Sequence, residues 1–185
     1  MIIFVILLLY IIPQISIENG DRNVLNGNNI VEEIDNSLAL PIRLKIPSLG
    51  IDAPVESLGL TTDGSMDVPK SPDNVGWFEL GPYPGEIGSA VIAGHYGWKD
   101  NLPAVFDNLS KLKKTDKIYV EDKEGIITTF VVREIRSFGE NDETLDVFNS
   151  TDGKAHLNLI TCEGIWNASN KSYSKRLIVF TDREL

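Results

Sequence analysis

Residues 157–164 read LNLITCEG and contain the only cysteine of the chain. The alternation predicts a β-strand with Leu157, Leu159 and Thr161 on one face and Asn158, Ile160 and Cys162 on the other. The strand is expected to end on Cys162 and to break at Gly164. An unpaired cysteine is ordinarily a small buried hydrophobe. At a strand end opening into a loop it stands where reactive groups are presented, and it then needs a partner that holds or moves protons.

Outward from this stretch, the chain from Pro41 onward consists of short apolar runs punctuated by Gly, Pro, Asn and Asp. PIRLKIP (41–47) alternates with period two, and DAPVESLGL (52–60) does so loosely. SAVIAGH (89–95) is a compact apolar run. DKIYVED (116–122) and IITTFVVREIRSF (126–138) flank Lys123-Glu124-Gly125, a hairpin loop. HLNLITC (156–162) and KRLIVFTD (175–182) close the domain. Two segments carry helical signals. LPAVFDNLSKL (102–112) spaces Val105, Phe106 and Leu109 helically behind Pro103. NDETLDVFN (141–149) offers Asn141 or Asp142 as N-cap. Seven or eight strands with few helical insertions predict a mostly β fold, a closed or nearly closed barrel rather than a βαβ fold.

The first 17 residues, MIIFVILLLYIIPQISI, are uncharged. They fall at the short limit for a membrane helix, which needs about 20 apolar residues. A signal-anchor without a basic front end is the reading adopted for 1–17. Residues 18–40 carry five acids, one base, several Asn and Gly and no aromatic residue, the composition of a linker. Residues 41–185 form the expected globular domain.

The totals exclude several classes. A net charge of −10 repels phosphate backbones, so nucleic acid is not an expected partner. One cysteine forms no internal disulfide, and one Cys with two His falls short of a structural zinc site unless carboxylates complete it. No cofactor is expected. Carboxylate-held calcium stays open, with no positions assigned to it.

His95 is the candidate partner of Cys162, because it too stands at the end of a predicted strand, where YGWKD opens a loop. His156 begins the strand that Cys162 ends. Six residues at about 3.3 Å each separate the two by roughly 20 Å, which gives His156 a surface role rather than a part in the chemistry. Arg176 opens the strand LIVF. If the last two strands are antiparallel neighbours joined by the loop EGIWNASNKSYSK, Arg176 returns beside Cys162, where a guanidinium can hold an oxyanion. Tyr96 and Trp98 beside His95, and Trp166 and Tyr173 between Cys162 and Arg176, either pack their loops or touch substrate or acceptor. Trp77 and Phe78 read as core or groove wall.

LITC at a strand end, the histidine of AGH 67 positions earlier (162 − 95) and an arginine 14 positions later (176 − 162) together resemble the sortase family. IRLKIPSLGIDAPVESLG, GSMDVPKSPDNVGWF and GPYPGEIGSAVIAGHYGW resemble the family's successive segments, so that the likeness spans about Pro41 to Asp182. It implies an eight-stranded β-barrel with short helices. It also implies a cysteine transpeptidase that cuts surface proteins at a C-terminal sorting motif, often of LPxTG type, and passes the acyl group to an amine such as a cell-wall precursor. By that resemblance Cys162 is the nucleophile, His95 the general acid and then base, and Arg176 the substrate and oxyanion clamp. Thr161 matches a position that helps hold substrate. A membrane-tethered enzyme with an extracytoplasmic catalytic domain is implied as well, in agreement with residues 1–17. The VGWF segment looks most like housekeeping-type or class F and D-like members. A hydrolase on the same site and a catalytically silent surface-binding barrel are the competing readings.

Overall fold

The structure, a computed structural model, describes residues 40–139, 142, 145–169 and 172–185. The expected anchor 1–17, nearly all of the linker 18–40 and the candidate cap Asn141 lie outside these residues. Eight strands are present: β1 Pro41–Ile46, β2 Ile51–Leu58, β3 Val75–Phe78, β4 Gly88–Gly94, β5 Lys117–Asp122, β6 Ile127–Gly139, β7 Ala155–Asn167 and β8 Ser172–Arg183. One helical turn, α1 Leu145–Phe148, precedes β7. The strands close into a barrel in the order β1-β2-β3-β4-β7-β8-β6-β5, with β1 pairing β5 to complete the ring. Closure removes the free edges that an open sheet would expose. Two junctions are parallel, β2 with β3 and β4 with β7; the others are antiparallel.

The period-two pattern fills the barrel. Leu44 and Ile46, Ala90 and Ile92, Phe130 and Val132, Leu157 and Leu159, and Leu177 and Val179 all turn inward and are buried. On β4, β7 and β8 some of the alternate positions are apolar too. Val91, Ile160, Ile178 and Phe180 form a second cluster outside the barrel with Phe138, Val147, Phe148 and Phe78. Those strands are covered on both faces, which explains why SAVIAG is continuously apolar instead of alternating.

Several expectations are corrected. The strand containing Cys162 does not end there. It passes through a register shift between Glu163 and Trp166 and pairs with β8 again at Trp166↔Tyr173 and Asn167↔Ser172. Gly164 permits this with φ of +87°, a left-handed conformation that favours glycine. The expected loop from Glu163 to Lys175 is therefore largely a hairpin. The helix expected over 102–112 is absent; turns and a single 3-10 turn, Leu109–Lys111, stand in its place. Its backbone is bonded to other segments: Val105 N–H to the Pro72 carbonyl and Phe106 N–H to the His95 carbonyl. Asp107 accepts from the amides of Gly97 and Ala104. Asp142 accepts from the amide of Gly139 at the end of β6. The strand β3 went unassigned in the sequence, having only four residues and a glycine among them.

His156 is not on the surface. It is 6% exposed, with Nδ1 2.8 Å from Asp182 and Nε2 3.0 Å from Asp152. A histidine at a strand start looks solvated in sequence, but here the neighbouring strand β8 and the turn before β7 both bring a carboxylate to it.

Candidate active site

The barrel's register builds the site. Parallel β4 and β7 pair with Gly88 opposite Ala155 and Ala93 opposite Ile160, a constant offset of 67 (155 − 88, 160 − 93). His95, directly after the last residue of β4, keeps that offset from Cys162 within β7, and both line one cleft. Antiparallel β7 and β8 set Cys162 directly against Arg176. Neighbouring strands lie about 5 Å apart. Imidazole, thiol and guanidinium thus project in a row from three adjacent strands.

Gly94 makes this arrangement possible. A Cβ there would stand 2.4 Å from the Phe106 ring, which is fully buried, so only glycine lets the chain turn into His95 at that point. Gly94→Ala is expected to destabilise the fold by about 1–3 kcal/mol through overpacking, read as a lower urea midpoint with unchanged slope. Thr161 ties the two strands together. It is 3% exposed and its hydroxyl donates to the Gly94 carbonyl at 2.8 Å, continuing the β4–β7 ladder one step beyond its last backbone pair. Its hydroxyl is thus engaged within the scaffold, on the same strand as Cys162.

The row opens into a cleft of about 610 Å³. His95, Thr161, Cys162, Tyr173 and Arg176 line it. Its floor continues along the outer apolar cluster through Ile160, Ile178, Phe138 and Val147. Tyr96, Trp98 and Trp166 do not line it but touch residues that do. Tyr96 and Trp166 pack edge-on against Tyr173, at 5.5 and 5.1 Å, and Trp98 packs edge-on against His95 at 4.6 Å. Trp77 is 1% exposed inside the barrel, and Phe78 packs on the outer cluster. Among the described residues no three His, Cys, Asp or Glu side chains converge as a metal-ligand group.

Cys162 is half-buried, and burial pushes its thiol above the ordinary range while the nearby Arg176 guanidinium pulls it down. Burial is the larger effect. Glu163, the acid next to Cys162, directs its carboxylate at the Ser137 hydroxyl on β6. The Arg176 guanidinium donates to the carbonyls of Tyr173 and Lys175 at 3.0 and 2.9 Å. Burial and the thiolate-forming Cys162 raise the Tyr173 phenol in turn. Alkylation of Cys162 should therefore rise with pH to a midpoint above the ~8.5 of a free thiol. Arg176→Ala removes the favourable charge, so the midpoint should move higher still; a midpoint that falls would contradict the arrangement.

A thiol, an imidazole and a guanidinium aligned over an apolar groove on a closed β-barrel define a thiol acyl-transfer enzyme. A sortase domain model matches residues 44–184. The chain belongs to the sortase family, and it is a sortase-type cysteine transpeptidase. Among solved structures it is similar to sortase C-1 from Actinomyces oris (26% identity, TM-score 0.62, covering 83% of this chain and 78% of that one). It is similar as well to a lid mutant of sortase A from Corynebacterium diphtheriae (26% identity, TM-score 0.61, 79% and 70% covered). Sortase C1 from Streptococcus agalactiae shares the fold at 24% identity, with a TM-score of 0.62 and 82% and 70% covered. No curated protein matches the chain.

Proposed function

We propose that this enzyme cleaves an LPxTG-like sorting motif of a surface protein and transfers the acyl group, through a thioester on Cys162, to an amine acceptor such as a cell-wall precursor. The row of His95, Cys162 and Arg176 along one groove carries this reading. The apolar floor suits the leading apolar residues of such a motif. The Cys162 thiolate attacks the carbonyl of the motif's threonine, at the bond to the glycine after it, and Arg176 faces the oxygen that becomes negative. His95 gives a proton to the departing amine as the C–N bond breaks, which leaves the thioester. An acceptor amine then attacks the thioester, yields its proton to His95, and the C–S bond breaks to restore the thiolate.

Membrane tethering by residues 1–17 through the linker 18–40 is part of the same proposal, with the domain 41–185 outside the cytoplasm. Support comes from the strand directions. β1 and β7 start at one pole of the barrel, while Cys162 lies toward the other end of β7. Pro41, where β1 begins, thus lies toward the end of the barrel opposite to the one β7 approaches at Cys162.

The test is intact-protein mass spectrometry with a panel of LPxTG-like peptides, with and without added amines. The expected result is an acyl adduct mapping to Cys162 that discharges onto the amine. An adduct discharged by water alone would replace the transferase with a hydrolase. A thiol inert to both peptides and alkylating agents would overturn the assignment of Cys162. Arg176→Ala should slow adduct formation on the order of 10²- to 10³-fold, the range for loss of an oxyanion donor.

A further inference from the structure

The histidine in the row is also held by the segment between β2 and β3. His95 Nε2 lies 2.7 Å from the carbonyl oxygen of Pro69. A carbonyl only accepts, so the hydrogen of that bond belongs to Nε2, and in the neutral ring the lone pair belongs to Nδ1. The ring packs edge-on against Trp98, and the His95 carbonyl is bonded by the Phe106 amide at 3.0 Å. Pro69 is itself buried, in the segment that joins β2 to β3.

That segment is anchored on both sides of Pro69. Before it, the Asp67 amide donates to the Gly59 carbonyl at 3.0 Å. After it, the Pro72 carbonyl accepts from the Val105 amide at 2.8 Å. Glu56 on β2 makes two further ties: the Lys70 amide donates to its carboxylate at 3.3 Å, and Asn74 Nδ2 donates to its Oε1 at 2.8 Å. Lys70 is the residue directly after Pro69, so Glu56 sets the peptide plane that presents the Pro69 carbonyl.

We propose that this segment is a tautomer lock: the Pro69 carbonyl fixes His95 as the Nε2–H form, Nδ1 is the nitrogen that gives and takes the proton, and Glu56 is the positioning residue that holds the carbonyl in place. The proposal rests on the reading of His95 as the proton carrier. When Nδ1 accepts the acceptor amine's proton, the ring becomes an imidazolium whose Nε2–H keeps its bond to Pro69. When Nδ1 passes a proton to the departing amine, the starting tautomer returns. The cycle needs no ring flip, so the ring stays aligned with Cys162 between the two half-reactions.

The chain has only two histidines, so long-range proton–nitrogen NMR of the full chain, histidine-labelled with nitrogen-15 in mild detergent, resolves both rings. A His95→Gln spectrum assigns them. At a pH where the His95 ring is neutral, the proton is expected on Nε2 alone; a proton on Nδ1, or an average of both forms, would overturn the lock. This readout uses no substrate, so it stands or falls separately from the transpeptidase reading. Glu56→Ala should bring in the second tautomer and lower kcat on the order of 10- to 100-fold, with KM for the adduct-forming peptide within about twofold. Glu56→Gln keeps an acceptor oxygen and should retain most of the rate. A Glu56→Ala protein with one tautomer, whether its kcat is unchanged or reduced, would remove Glu56 from the proposal. If no peptide forms an adduct, the tautomer comparison between the full chain and its Glu56 variants decides alone.

Discussion

Replacing Cys162 with alanine is expected to eliminate the acyl-enzyme and to lower transfer on the order of 10⁴-fold or more, the scale seen when a covalent nucleophile is removed. The thioester divides one difficult displacement into two, and no other thiol exists in the chain to take the role. The fold should be indifferent. Cys162 is half-buried on the outer face of β7, two residues past Ile160, and the barrel interior is filled by Leu157 and Leu159 on the opposite face. Losing one half-buried sulfur there should change stability by about 1 kcal/mol or less. Circular dichroism with a thermal melt, beside mass spectrometry of the peptide reaction, separates the two effects. A Cys162→Ala protein that still transfers the acyl group at a substantial fraction of the original rate would place the nucleophile elsewhere. Serine should fare little better, because its hydroxyl ionises far less readily than a thiol.

Much of this site was legible because barrel geometry is periodic. Alternation in LNLIT assigns Cys162 to the face opposite Leu157 and Leu159, and the structure puts those two leucines inside and Cys162 outside. The antiparallel return of the last strand, which the sequence allowed without requiring, sets Arg176 against Cys162. The constant offset between β4 and β7 was not legible. Parallel pairing joins strands far apart in the chain, and nothing local in SAVIAGH names its neighbour. The burial of His156 was hidden for the same reason: Asp182 reaches it across the sheet, 26 residues away. The helix expected over 102–112 failed because Val105 and Phe106 have helical spacing but donate their amides to Pro72 and His95. Those bonds shape the His95 loop, so the local pattern yielded where the site needed the backbone. Glu56 and Pro69 carried no sequence signal: Pro69 acts through a backbone carbonyl that any residue supplies, and the Glu56 carboxylate meets donors 14 and 18 residues further along the chain.

The two histidines should separate cleanly. His95→Ala is expected to lower the rate of acyl transfer by about 10²- to 10⁴-fold, the range for loss of a positioned acid–base group. His95 is at the cleft with its ring fixed between Trp98 and the Pro69 carbonyl, so its loss removes the proton carrier of both half-reactions. His156→Ala should leave kcat within about twofold and lower stability instead, by about 2 kcal/mol, from the range typical of a buried polar side chain. The ring is buried between β7 and β8, and its two carboxylate partners come from separate segments, so its removal unties the turn at Asp152 from the end of β8. Asp152 has its carboxyl held well below the usual range, first by the hydrogen bond from His156. A group whose folded pKa is depressed contributes stability above its unfolded pKa and loses it as pH falls through the folded one. His156→Ala removes the main cause of that depression, so the difference in melting temperature between the two proteins should be large at neutral pH and shrink as acid titrates Asp152. Equal losses of rate from both variants, after correction for the folded fraction, would mean that the register of β4 and β7 has been misread. A stability loss from His156→Ala that does not narrow in acid would assign its role to packing alone.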